Sequence, residues 1–170
     1  MFTKLSIHHS EYSMSYLCAK HRQDLMQKSD LQRWQFWRDF MNRSGHHYGN
    51  NSWHHASVLA GSAMEISSLC IEHKAETASA PELNRYCLAV VYLFNTLIQQ
   101  DKDYHANHLI RLACQKVCQF IDDSSQIAPI TKDYFLEVLF NEAEHALFIQ
   151  QHTQLPFLDN AWQKQASIAH

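Results

Sequence analysis

Glycine and proline are scarce in this chain, with three of each among 170 residues. A fold of β-hairpins needs turn residues about every 8–12 positions, so the scarcity argues for long helices and few connections. Basic clusters are lacking too. The 14 Lys and Arg are outnumbered by 17 Asp and Glu, and no basic run exceeds two residues, so a nucleic-acid partner has no electrostatic footprint. No apolar stretch reaches the ~18–20 residues of a membrane span, and the start, Met1 to His9, lacks the apolar core of a signal peptide. The expectation is a cytoplasmic protein that engages neither membrane nor nucleic acid.

Catalytic signatures are missing as well. There is no Gly-x-Ser-x-Gly elbow, no phosphate-cradling loop, no Cys-x-x-Cys and no His-Glu-x-x-His. These absences weigh against an enzyme without excluding one. The five cysteines (18, 70, 87, 114 and 118) are an odd number set within helical patterns, which suits reduced thiols. Cys114 and Cys118 lie one turn apart, with no further metal ligands beside them in sequence.

What is present is a well-patterned helical chain. Hydrophobic residues make up 46% and charged residues 18%, a globular balance in a length suited to one domain. The 3.6-residue period predicts an all-α, single-domain bundle of about six helices over residues 1–170. Helix one is expected from Ser10 to about Gln27, and helix two, capped by Ser29 or Asp30, to about Arg43. Residues 44–51, with Gly45, Gly49 and an Asn pair, read as the clearest loop. Ser52 then starts a helix over about 53–76 whose apolar arc covers more than half the circumference, so it is expected at the centre. Within it, the small residues Ala60 to Ala63 permit close backbone approach. Ser79-Ala80-Pro81-Glu82 starts the fourth helix, a fifth ends near Asp122, and a sixth runs from Thr131 to about His152. Residues from about 153 to 170 form a tail with room for a short helix.

Two residues on the sixth helix have metal-ligand spacing. Glu142 and His145 form a Glu-x-x-His pair, which places both on one helical face. A dinuclear carboxylate site needs a second such pair and further Glu; no second copy exists, although Glu65 and Glu72 could supply part of a set. The alternative is a boundary carboxylate with His145 near the surface. Other imidazoles stand out because the chain has 13 His, whose protonation would move the formal charge of −3 by thirteen units and permits a pH response. His46, His47, His54 and His55 are the densest group, His105 and His108 have i, i+3 spacing, and His55 and His73 share a stripe with Ser62. Each reads more readily as a solvated or core histidine than as a site.

Binding candidates are large apolar residues off the main core arcs: Phe36, Leu88, Tyr92 and Phe148, together with Trp162 in the tail. The competing reading is that a bundle helix packs on two sides, so a second strip is more core. The tail, with Phe157, Leu158, Trp162 and Ile168, could dock on its own bundle or on a partner. Together these features favour a small protein-interaction module (adaptor, secretion chaperone, immunity protein or regulator) that binds another protein or a second copy of itself. The alternative is a metal-dependent helical-bundle enzyme, or metal-binding protein, using Glu142 and His145 to hold a divalent ion.

Overall fold

The computed structural model describes residues 14–158. They form seven α-helices: α1 (Ala19–Met26), α2 (Asp30–Gly49), α3 (Trp53–Lys74), α4 (Ala80–Ile98), α5 (Asp103–Asp123), α6 (Thr131–Phe140) and α7 (Glu142–His152), with one 3-10 turn at Ala75–Thr77. No strand occurs among the described residues. A non-helical strap, 14–18, with a bend at Leu17 and extended backbone at Cys18, precedes α1, and a second, 153–158, extended at Thr153, follows α7.

The bundle centre is a pair of helices. α3 packs against α1, α2 and α4, while α4 packs against α3, α5, α6 and α7. Every residue from 86 to 97 is buried, because α4 has neighbours all round and an apolar sequence to match. The main core joins Met41 and Tyr48 of α2, Ala60 and Ile71 of α3, Leu93 of α4, Val117 of α5, and Phe148 and Ile149 of α7. A smaller satellite cluster of Leu17, Leu25, Ile66 and Cys70 lies under α1, flanked by Trp34, Trp37 and Phe40. Val58 of α3 and Leu112 of α5, though apolar, stay substantially exposed.

Helix starts follow local chemistry. Ser29 accepts from the Gln32 amide while Gln32 accepts from the Ser29 amide, a reciprocal box that opens α2. Glu82 accepts from the backbone N–H and hydroxyl of Ser79 at the start of α4. It also pairs with Lys74, which reaches Asp30 at 3.0 Å, so the beginnings of α2 and α4 and the end of α3 meet in one charged knot.

Three boundaries differ from the sequence expectation. The expected loop over 44–51 is helix as far as Gly49, and the turn into α3 uses Asn50 to Ser52, with Asn51 at φ 57°. Ser44 is buried, with its hydroxyl bonded to the Ala56 carbonyl at 2.7 Å. No glycine has positive φ, so the glycines here serve space rather than turning. The expected sixth helix is broken at Asn141, whose side chain accepts from the Ala143 amide and caps α7. Asn competes with the helical backbone for hydrogen bonds, so a break at this residue follows. The start expected at Ser10 falls partly outside the described residues, and within them α1 begins only at Ala19 because residues 16 and 17 give their amides to Glu65.

Candidate functional site

Both straps are held by polar groups inside the bundle, directed at main chain. On α3, Glu65 is buried; its carboxylate accepts from the amides of Tyr16 (2.5 Å) and Leu17 (3.2 Å) and from the Arg22 guanidinium (2.8 Å). The Tyr16 ring lies directly on Gly61, where any Cβ would overlap it. Burial, reinforced by the nearby Glu65 charge, pushes the Tyr16 phenol up to about 12.

The C-terminal segment has the more elaborate seat. Tyr48, Tyr92 and Asn95 are 2%, 0% and 2% exposed, so their polar atoms need partners inside the protein. The Tyr92 hydroxyl donates to the Pro156 carbonyl at 2.8 Å. Asn95 donates through Nδ2 to the Leu158 carbonyl at 3.1 Å, and the Leu158 amide donates to the Tyr48 hydroxyl at 2.9 Å. The Tyr48 hydroxyl in turn donates to Asn95 Oδ1, which fixes the amide's orientation. Burial pushes the Tyr48 phenol up to about 12, against the hydrogen bond from Leu158, and raises Tyr92 further.

Aromatic surfaces complete this seat. Phe157 lies parallel to Tyr48 (centroids 6.4 Å) and tilted against Tyr92 (6.2 Å), while Trp53 meets Tyr48 edge-on at 4.8 Å. Leu155 crosses α2 at Gly45, where a Cβ would come within 2.7 Å of its Cδ2. Beside it opens a cavity of about 650 Å³ lined by Trp37, Met41, Asn42, Gln151 and Leu155. A larger cleft of about 810 Å³, lined by Leu17, Leu25, Phe36 and Phe40 with His21, Asp24 and Lys28, opens between the first strap, α1 and α2.

The residues singled out from sequence fare differently. Phe36 is 40% exposed on the larger cleft, with the Lys28 ammonium 5.4 Å from its ring centroid. Leu88 and Phe148 are core residues, 3% and 2% exposed, so neither offers surface to a partner: α4 and α7 pack on more than one side. Tyr92 is buried too, but its hydroxyl faces the C-terminal segment. Trp162 lies outside the described residues. Arg33, on the same helix as Phe36, is buried and paired with Asp30 at 2.5 Å.

Glu142 and His145 share the first turns of α7 but do not gather a ligand set. His145 is buried rather than near the surface, edge-on to Phe94 (5.2 Å), with Nε2 3.3 Å from the Leu139 carbonyl. Burial lowers its pKa, against the pull of Leu139 and Glu142. Glu65 is committed to the N-terminal segment and Glu72 to Lys116 and Ser68. Among the described residues no three His, Cys, Asp or Glu converge as a metal site. The four clustered histidines do meet, with His47 and His55 stacked at 5.2 Å and His46 and His54 edge-on beside them.

Sequence reasoning missed Tyr48, Asn95 and Glu65 in these roles. The available signal was a polar residue within an apolar helical run, as Asn95 is within 86–97 and Glu65 within α3. No protein-family model matches the chain, and neither the curated proteins nor the solved structures include a significant match to it.

Proposed function

We propose that this protein is a small cytoplasmic protein-interaction module, an adaptor, chaperone, immunity protein or regulator, that acts by holding an extended segment of a partner protein. The observation that carries this reading is the seat made by Tyr48, Tyr92 and Asn95, whose buried polar groups address the main chain of an extended segment. Main-chain recognition flanked by side-chain pockets is how extended peptides are bound in general. The exposed Phe36 cleft on the same helix, α2, adds accessible apolar surface. Five unpaired cysteines suit a reducing compartment, and among the described residues no helix is long and apolar enough to cross a membrane.

The test is site-specific photo-crosslinking in the source cell. A photoreactive residue at Phe36 or Asn42 on α2 is compared with one at His105 on α5, which α3 and α4 separate from α2. The expected outcome is an adduct from α2 alone, mapping to one stretch of one protein that re-forms a stoichiometric complex when purified. Identical adducts from both helices, or none, count against the reading. So does stoichiometric iron, manganese or zinc in the purified protein that is lost in Glu142→Ala.

A further inference from the structure

We propose that the seat formed by Tyr48, Tyr92 and Asn95 is a ligand site for extended segments of aliphatic–Pro–aromatic–aliphatic pattern in a partner protein, and that Leu155–Leu158 of this chain is its resident competitor. This rests on the interaction-module reading and names the ligand and its regulation.

The chemistry of the ligand is read from the segment seated there. Three main-chain hydrogen bonds, through the Pro156 carbonyl and the carbonyl and amide of Leu158, fix one non-helical path across the seat and carry no side-chain information. Side-chain choice is made at three points. Gly45 leaves room on α2 for a branched aliphatic residue. The next residue, Pro156, packs its ring against Gly45 and Gly49 on α2, and its preset φ lowers the cost of holding a non-helical path. The third side chain lies across the packed rings of Tyr48 and Tyr92, parallel to the first and tilted to the second, which suits an aromatic ring.

Three features make the resident segment displaceable. It leaves α7 through Thr153, whose backbone is extended, and the hydrogen bonds of residues 156 to 158 run to Tyr48 of α2 and to Tyr92 and Asn95 of α4. It can therefore lift without unwinding the helix that carries it. Pro156 and Leu158 remain exposed even when seated, so the cis contact buries less than a full ligand can. The cavity of about 650 Å³ beside Leu155 gives a partner side chain bulkier than leucine additional surface. A tethered segment competes at an effective concentration on the order of mM, so a partner segment must use that extra surface to win.

The test uses the full chain and a capped, fluorescently labelled synthetic peptide of residues 153–158 as the probe. The chain carrying Leu155→Ala and Phe157→Ala is expected to bind this peptide at least about tenfold more tightly than the unmodified chain, because its own segment no longer competes. A peptide with its Phe replaced by Ala is expected to lose that binding. Should the folded double variant bind neither peptide, the inference is overturned, while a single α2 adduct in the crosslinking experiment would leave the broader interaction reading standing. If the double variant does not fold, hydrogen exchange on the unmodified chain decides. The Leu158 amide is expected to exchange faster than those of residues 86–97, and equal rates overturn the inference. A concentration-dependent dimer of the unmodified chain that Phe157→Ala abolishes also overturns it, by assigning the seat to the tail of a second copy.

Discussion

Individual side chains divide into those that hold the bundle together and those left for contact. Leu88 and Phe148 are enclosed on all sides, so truncating either to Ala leaves a cavity as well as losing burial. Leu88→Ala is expected to lower unfolding free energy by about 2–5 kcal/mol and Phe148→Ala by about 3–5 kcal/mol. Phe36→Ala, at an exposed site, is expected to stay within about 1 kcal/mol. Urea denaturation of the three variants checks the contrast, and a large loss at Phe36 would mean that its ring is part of the core. His145 is a different kind of core residue. Because burial lowers its folded pKa, neutral imidazole contributes stability fully above the unfolded value, about 6.5. That contribution is lost progressively as pH falls below 6.5 towards the lowered folded value. Unfolding free energies between pH 7 and 5 are therefore expected to decline, and His145→Gln, which retains a donor for Leu139, should flatten the decline. An unchanged slope in the variant assigns the acid sensitivity elsewhere.

At the scale of elements, the glycines and the charged knot set how the helices and their straps fit. In an ordinary helix interior Gly→Ala adds about 1 kcal/mol of stability. At Gly61 a methyl would overlap the Tyr16 ring, and at Gly45 it would press on Leu155. Gly61→Ala is instead expected to destabilise or to dislodge the first strap, by about 1–3 kcal/mol for overpacking, whereas at Gly45 the flexible tip of Leu155 can give way at little cost. Thermal melts show the sign, and a rise in melting temperature for Gly61→Ala would contradict the close approach. The knot of Asp30, Lys74 and Glu82 responds to acid. Burial alone would raise Glu82, but hydrogen bonds from Lys74 and Ser79 outweigh it and hold its pKa low; Asp30 is lowered by Arg33 and Lys74. Both carboxylates thus contribute stability that is present above the unfolded value, about 4, and lost as pH falls through their lowered folded values. Glu82→Gln is expected to cost about 2 kcal/mol at pH 7, the range for a hydrogen bond to a charged group, and to reduce the acid slope below pH 4.

For the whole molecule, stability is distributed unevenly. α4 is the shared wall between the α2–α3 side and the α5–α7 side, whereas α1 buries only Leu25 of its eight residues and sits on the satellite cluster. Native-state hydrogen exchange is expected to show residues 86–97 opening only with global unfolding, while α1 opens at markedly lower free energy. Equal protection in α1 and α4 would indicate a single cooperative unit.

Much of this frame was legible in the sequence. Sparse Gly and Pro and a sustained 3.6-residue period determine the all-helical bundle, because those signals are local. Ser29 and Ser79 mark helix starts for the same reason: a cap is closed within four residues. Tertiary structure decided what depends on distant partners. Gly45 resembles part of a loop in isolation, and only Leu155, more than a hundred residues away, shows what the missing side chain within the helix makes room for. Asn141 interrupts a helix that periodicity alone would run through. Glu142 and His145 have ligand spacing, yet the spacing of two residues cannot supply the further ligands that other helices would have to bring. Phe148 and Leu88 look like spare surface on a helical wheel, because a wheel cannot count how many neighbours surround a helix. The seat for the C-terminal segment exists only once α2 and α4 meet, since no stretch of sequence contains Tyr48, Tyr92 and Pro156 together.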